Sequence, residues 1–144
     1  MKIYVAGDLR SEPIRRYIDK LAYLLTEKGH RCLVPHRDVP IPGNIGPQRG
    51  LLRRGQHKTL GRLVLEEDLR LLKECEAAVF VLDGLCWGTS VELGYALALK
   101  NRKGQKLQIV GVYTDPRGID WLDMIRHNAC DTVVTSLNEV AELF

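Results

Sequence analysis

The run Cys86-Trp87-Gly88-Thr89-Ser90-Val91-Glu92-Leu93-Gly94-Tyr95-Ala96-Leu97-Ala98-Leu99 places one carboxylate inside an otherwise apolar helical pattern. Gly88 and Ala96 lie four residues to either side of Glu92, so no i,i+4 ion pair is available on the helix itself. Two effects then oppose each other. About one turn into the helix, the macrodipole favours the ionised form, whereas burial disfavours charge and raises the pKa. A carboxylate kept ionised and partly desolvated, with no basic partner, is poised as a nucleophile or base. The competing reading is a glutamate that points to solvent or pairs with a distant arginine; periodicity alone does not choose between the two.

Other chemistries are excluded by spacing. In Gly88-Thr89-Ser90-Val91-Glu92, Glu92 stands where G-x-S-x-G needs its second glycine, so Ser90 is a poor hydrolase nucleophile. Neither a phosphate-binding G-x-x-x-x-G-K-[ST] nor a G-x-G-x-x-G follows the first apolar run. His30, His36, His57 and His127 lack metal-ligand spacing, and Cys32, Cys75, Cys86 and Cys130 form no C-x-x-C pair. No metal and no organic cofactor is therefore expected. The net charge of +3 is too small to point to nucleic acid or an anionic membrane. The first ten residues hold too short an apolar run for a secretory leader, and no segment approaches the ~20 apolar residues of a membrane span. A reducing cytoplasm is the expected setting.

The elements that must position Glu92 can be read from the alternation of short β-branched runs with helix-period segments. Strands are expected at 2–6, 31–35, 77–83, 107–113 and 131–135. Helices are expected from about Pro13 to Lys28, over 65–75, from about Gly88 to Asn101, near 119–127 and from Leu137 onward. In the 65–75 helix, Leu65, Leu69 and Leu72 form the expected apolar face. The nearly charge-free 77–83 reads as a central strand covered on both sides. The fold class is therefore α/β: one domain over 1–144, a doubly wound open sheet of about five parallel strands, with order 2-1-3-4-5 as the prior. In such sheets ligands bind beyond the carboxyl ends of the strands. Polar residues gather there: Gly7-Asp8-Leu9-Arg10, His36-Arg37-Asp38, Asp83-Gly84 and Thr114-Asp115-Pro116-Arg117.

The segment Gly88-Thr89-Ser90-Val91-Glu92-Leu93-Gly94-Tyr95-Ala96, after Val79-Phe80-Val81-Leu82-Asp83-Gly84, strongly resembles the signature of the nucleoside 2-deoxyribosyltransferase superfamily, roughly D-x-G-T-x-x-E-L-G-Y-A. Lys2 to Gly7 is similar to that family's first strand and glycine turn. Glu66 to Gly84 is similar to its acidic helix and following strand, and Gly111 to Arg117 to its strand-end Thr-Asp-x-Arg. The resemblance implies that Glu92 is a catalytic nucleophile attacking the anomeric carbon, a role that suits a carboxylate at an oxocarbenium-like centre. It implies that Asp68 lies by the sugar, aiding proton transfer or orienting hydroxyls, and that the Tyr4 hydroxyl steers Glu92. From the residues alone, Asp68 would be one of a solvated trio with Glu66 and Glu67, and Tyr4 would be core. Gly7, Asp8, Arg10, Arg37, Asp83, Cys86, Gly88 and Thr89 complete the expected substrate-binding set. Asp83 is alternatively a turn cap, and Gly7 and Gly88 plain turn glycines.

Two departures separate this chain from the pattern. Cys86 stands where many transferases carry aspartate and the related 2′-deoxynucleoside 5′-phosphate N-hydrolases a serine; a thiol replaces neither well. Beside it, Trp87 is either a stacking surface for a base or a lid. Where the hydrolases resemble Gly-Ser-x-Arg, this chain has Gly7-Asp8-Leu9-Arg10: Arg10 suits a phosphate, while Asp8 would repel one or bond a hydroxyl of a neutral nucleoside. The stretch 35–62 carries Pro40, Pro42 and Pro47, which argue against a long regular element over most of it. A basic Pro/Gly-rich loop is expected at 35–56. It is either a cation source for a nucleotide phosphate or a solvated or subunit-contact loop.

The expected activity is cleavage or transfer of the N-glycosidic bond of (2′-deoxy)nucleosides or their 5′-monophosphates, with transfer to another base preferred. Hydrolysis of monophosphates and a non-catalytic nucleotide-sensing module are the alternatives. The phosphoribohydrolase pattern P-G-G-x-G-T-x-x-E is disfavoured, because Gly84-Leu85-Cys86-Trp87-Gly88 lacks its glycine pair. The expected partners are a small nucleoside or nucleotide and, by resemblance, further copies of the chain as a dimer or higher homo-oligomer; no nucleic-acid polymer or membrane is expected.

Overall fold

A computed structural model describes residues 1–39, 54–84, 86–102, 106–115 and 128–144, with backbone alone over 54–60. Five parallel strands, β1 (Lys2–Ala6), β2 (Arg31–Leu33), β3 (Ala77–Val81), β4 (Gln108–Val112) and β5 (Thr132–Val134), form one sheet in the order β2-β1-β3-β4-β5. This is the expected topology, and the reversal of strand order falls between β1 and β3. Tyr4 pairs with Leu33 on one side and Ala78 on the other. All five residues of β3 are buried, as a near-continuous apolar run in a parallel sheet requires.

The two faces of the sheet bury different side chains because successive strand residues point to opposite sides. Ile3, Val5, Val79, Val81 and Val110 pack with Ile18, Leu21, Ala22 and Leu25 of α1 (Glu12–Glu27) and Val140 of α5 (Leu137–Leu143). Tyr4, Ala6, Phe80 and Leu82 pack instead with Leu71 and Leu72 of α3 (Arg54–Lys73) and Leu93, Ala96 and Leu99 of α4 (Trp87–Lys100). The short α2 (Pro35–Asp38) follows β2. Helix ends follow local chemistry: Pro13 opens α1, and Gly29 at φ +87° follows it. Ser136 caps α5 by accepting from Glu139 N, while Glu139 accepts from Thr135 N.

Two expectations change. The helix expected over 65–75 begins at Arg54, inside the stretch expected to be irregular, while α2 occupies 35–38 at its other end. No proline occurs from Arg54 to Lys73, and each glycine there costs only ~1 kcal/mol relative to alanine. Packing of α3 on α4 outweighs that cost. The buried residues of α3 among those whose side chains are described are Asp68, Leu71 and Leu72, followed by buried Cys75 just past its end, with Leu65 exposed, so the expected Leu65-Leu69-Leu72 face is rotated. Pro40, Pro42, Pro47, Arg49, Arg53, Arg117 and the helix expected near 119–127 lie outside the described residues.

Candidate active site

Glu92 is the sixth residue of α4, which starts at Trp87. It lies beyond the first turn, where free N–H groups give the macrodipole its strength. Its face of the helix is turned inward, leaving it 8% exposed. The solvent-pointing alternative is thereby excluded. Burial prevails over the dipole: the pKa rises from the ordinary 4.5 to about 8, first through desolvation and then through the negative charge of Asp68. The Tyr4 hydroxyl acts in the opposite direction by approaching the carboxylate. Of the two opposing effects set out from the sequence, burial is the larger, and the free protein holds this proton at neutral pH.

Asp68 reaches the same place from α3 and is 6% exposed. Its neighbours are disposed differently, since Glu66 pairs with Arg62 and Glu67 with Arg70 on the exposed face. One hundred degrees of helical rotation per residue thus separates Asp68 from its two ion-paired neighbours. Desolvation, and then the charge of Glu67, push Asp68 up to about 7. The signal that marks it in the sequence is the apolar set at i+3, i+4 and i+7: Leu71, Leu72 and Cys75.

Tyr4 enters from β1, fully buried, with its ring 6.2 Å from that of Phe80. Desolvation, followed by the charges of Glu92 and Asp68, drives its pKa far up, so it stays a neutral hydroxyl. Among the described residues, Tyr4 Oη, Asp68 Oδ1 and Glu92 Oε2 are buried without a partner in good hydrogen-bond geometry. Three polar groups from β1, α3 and α4 thus converge, each with an atom left without a well-aligned partner among the described residues. Buried polar atoms are normally satisfied. Such a cluster, opposite a sheet switch point, is suited to a polyhydroxylated ligand.

A second group forms at the strand ends. Asp8, just past β1, accepts from Arg10 Nε at 2.9 Å, Arg10 Nη2 at 3.1 Å and Arg10 N at 3.1 Å. These bonds, with a further one from Cys86, hold its pKa low despite partial burial. Sequence reading treated Asp8 and Arg10 as separate ligand contacts and missed this pairing, although an aspartate bonding two residues on is a common turn device. Cys86 is the N-cap residue of α4, so it links the Asp8 group to the helix that carries Glu92. Among the described residues, a Cβ on Gly88 would meet only Cys86 Sγ, at 3.8 Å. Thr89 is buried in the first turn of α4.

The remaining candidates have other duties. A Cβ on Gly7 would lie 2.9 Å from Val81 Cβ and 3.1 Å from Ile18 Cδ1, so its close approach is to the core beneath α1. Asp83 accepts from Thr114 N at 2.8 Å and from Asp115 N at 3.1 Å, capping the turn after β4. Arg37 donates to Asp38 Oδ2 and to the Cys32 carbonyl, both at 2.8 Å, and is not among the groups acting on Glu92. Trp87 is 85% exposed, so among the described residues it does not act as a closed lid.

A family model described as nucleoside 2-deoxyribosyltransferase matches residues 3–127, a span holding Tyr4, Asp68 and Glu92. The chain belongs to the nucleoside 2-deoxyribosyltransferase family. Family membership carries the coarse activity, glycosyl transfer or cleavage on nucleosides. The fold resembles that of a 2-deoxyribosyltransferase from Bacillus psychrosaccharolyticus, at TM-score 0.74 and 18% identity over 98% of this chain and 90% of that one. It also resembles the Clostridium botulinum CMP N-glycosidase BcmB, at TM-score 0.53 and 16% identity over 99% of this chain and 96% of that one. No curated protein matches the sequence. No helix among the described residues is long and apolar enough to cross a membrane.

Proposed function

We propose that this member of the nucleoside 2-deoxyribosyltransferase family transfers a 2-deoxyribosyl group between bases by double displacement through Glu92. The observation that carries the reading is the buried Glu92 carboxyl facing Asp68 and Tyr4, with its Oε2 unbonded among the described residues. A Glu92 oxygen attacks the anomeric carbon as the bond from that carbon to the base nitrogen breaks, giving a glycosyl ester and a departing base. An incoming base nitrogen then attacks from the opposite face and expels the carboxylate, so that configuration is retained. Glu92 must be ionised to attack, and Asp68, whose charge acts on Glu92 and whose own pKa is raised to about 7, holds the proton that the departing base requires. Two like-charged carboxyls in one buried site favour a singly protonated pair. Tyr4, always neutral, offers its hydroxyl to whichever Glu92 oxygen is negative. The reading also includes action as a homo-oligomer, to be checked by light scattering.

The test is chromatography of deoxynucleosides and their 5′-monophosphates, each incubated with the protein with and without a free acceptor base. Base exchange that disappears in Glu92→Ala supports the transferase. Base released into water from monophosphates alone would replace it by an N-hydrolase. No turnover by a folded protein would leave Glu92 a binding residue and the chain a sensor.

A further inference from the structure

The Asp8–Arg10 pair lies just past the carboxyl end of β1, the side of an open parallel sheet on which ligands bind. Asp8 continues the alternation Tyr4, Ala6, Asp8, and Tyr4 and Ala6 both face the α3–α4 side of the sheet. A Cβ on Gly84 would lie 3.9 Å from Asp8 Oδ2, which places the carboxylate against the loop after β3. That loop leads through Cys86 into α4, and Glu92 lies about 9 Å further along the helix axis, at 1.5 Å per residue. Asp8 thus stands just past the carboxyl end of β1, against the loop that leads into the helix carrying Glu92.

The Arg10 guanidinium meets Asp8 with two side-chain N–H groups on two carboxylate oxygens. A guanidinium fork engages a phosphate in the same manner. Resting on the proposed glycosyl-transfer reading, we propose that Asp8 is a specificity-determining residue: it fills from within the chain the anion position on Arg10, and so reserves the site for nucleosides without a phosphate. A monophosphate that takes the Nε–Nη2 edge of Arg10 must displace Asp8, and one that approaches another edge still sets its charge beside the partly buried Asp8 carboxylate. The cost of that like-charge pair falls on the phosphorylated ligand alone, and discrimination by an unfavourable contact is a standard route to specificity.

The experiment compares the unmodified protein with Asp8→Ser, Asp8→Asn and the double variant Asp8→Ser/Arg10→Ala. The ratio of kcat/KM for a deoxynucleoside to that for its 5′-monophosphate is measured for each. The unmodified protein is expected to favour the nucleoside. Both Asp8 single variants shift the ratio toward the monophosphate by on the order of tenfold or more, and removing Arg10 reverses the shift. Preference of the unmodified protein for the monophosphate, or a ratio unmoved by either single variant, overturns the proposal. Thermal unfolding in inorganic phosphate against chloride at matched ionic strength gives a second readout that needs no turnover. If no protein in the series cleaves any substrate, the glycosyl-transfer reading fails, yet a phosphate-dependent rise in Tm acquired by Asp8→Ser and absent from the unmodified protein still supports Asp8 as the internal anion. Lack of that rise sinks it.

Discussion

Replacing Glu92 by glutamine is expected to abolish base exchange and, at alkaline pH, to make the protein more stable. The folded-state pKa of Glu92 is raised from 4.5 to about 8. An unfolded chain releases this proton near 4.5, while the folded chain keeps it until about 8. Between those values the folded state binds more protons than the unfolded one, so stability falls as pH rises and the loss is complete above about 8. At 1.36 kcal/mol per pH unit over that window, the upper bound is ~5 kcal/mol. A buried glutamine amide also needs partners, so about 2–4 kcal/mol of net stabilisation is expected at pH 8.5. Near pH 5, where Glu92 is protonated in the fold, the two proteins should lie within ~1 kcal/mol of each other. The assay is calorimetric unfolding from pH 5 to pH 8.5, where the gap should widen to a Tm difference of several degrees. Part of the slope should survive in Glu92→Gln, because Asp68, raised from 3.8 to about 7, acts in the same sense. Parallel Tm curves for the two proteins, or a Glu92→Gln variant less stable at pH 8.5, would refute the argument that Glu92 is buried unpaired.

If Asp68 supplies the proton and Glu92 attacks, kcat/KM should trace a bell whose limbs belong to the coupled pair near 7 and 8. Asp68→Asn should remove the alkaline limb and move the acid limb down, as the negative neighbour that raises Glu92 is lost; a pH–rate profile decides. Tyr4→Phe removes the group that lowers Glu92, so the acid limb should move up and kcat/KM should fall by roughly tenfold at neutral pH, for a hydrogen bond worth ~1 kcal/mol or more. Gly7→Ala brings a methyl to 2.9 Å from Val81 Cβ and should cost ~1–3 kcal/mol in urea denaturation. Its pH–rate profile should keep its shape if Gly7 is a core residue.

The sheet is legible because parallel strands covered on both faces need β-branched runs, and Ala77–Val81 and Gln108–Val112 supply them. The topology follows once alternation with helices makes every strand parallel. Helix starts are less legible: α3 passes through Gly61, and glycine weakens a helix without forbidding it. For the site, Glu92 stands out because it is a lone charge in an apolar run. Asp68 does not, since Glu66 and Glu67 beside it have the same charge and only the phase of the helix separates them. The Asp8–Arg10 pair lay in plain view at a spacing of two, yet residue type alone does not say whether two opposite charges meet each other or a ligand.

Why burial outweighs the helix dipole at Glu92 follows from the same physics. A helix dipole acts over its first turn and is worth at most ~2 kcal/mol in partly buried geometries, whereas placing a carboxylate at 8% exposure beside a second carboxylate acts on the whole charge. The fold sustains this because the groups sit on different supports: Tyr4 is fixed in a strand paired on both sides, and Asp68 and Glu92 on helices packed against that strand's face. None of the three can turn out to solvent without breaking the packing of Leu71, Leu72, Leu93 or Ala96. The cost of an unpaired buried carboxyl is therefore held in place, and a ligand whose hydroxyls bond Glu92 and Asp68 would relieve it on binding. Catalysis then needs only that the proton reside on Asp68 when the anomeric carbon meets Glu92. That condition ties the pH profile, the alkaline instability and the loss of exchange in Glu92→Gln to one pair of side chains.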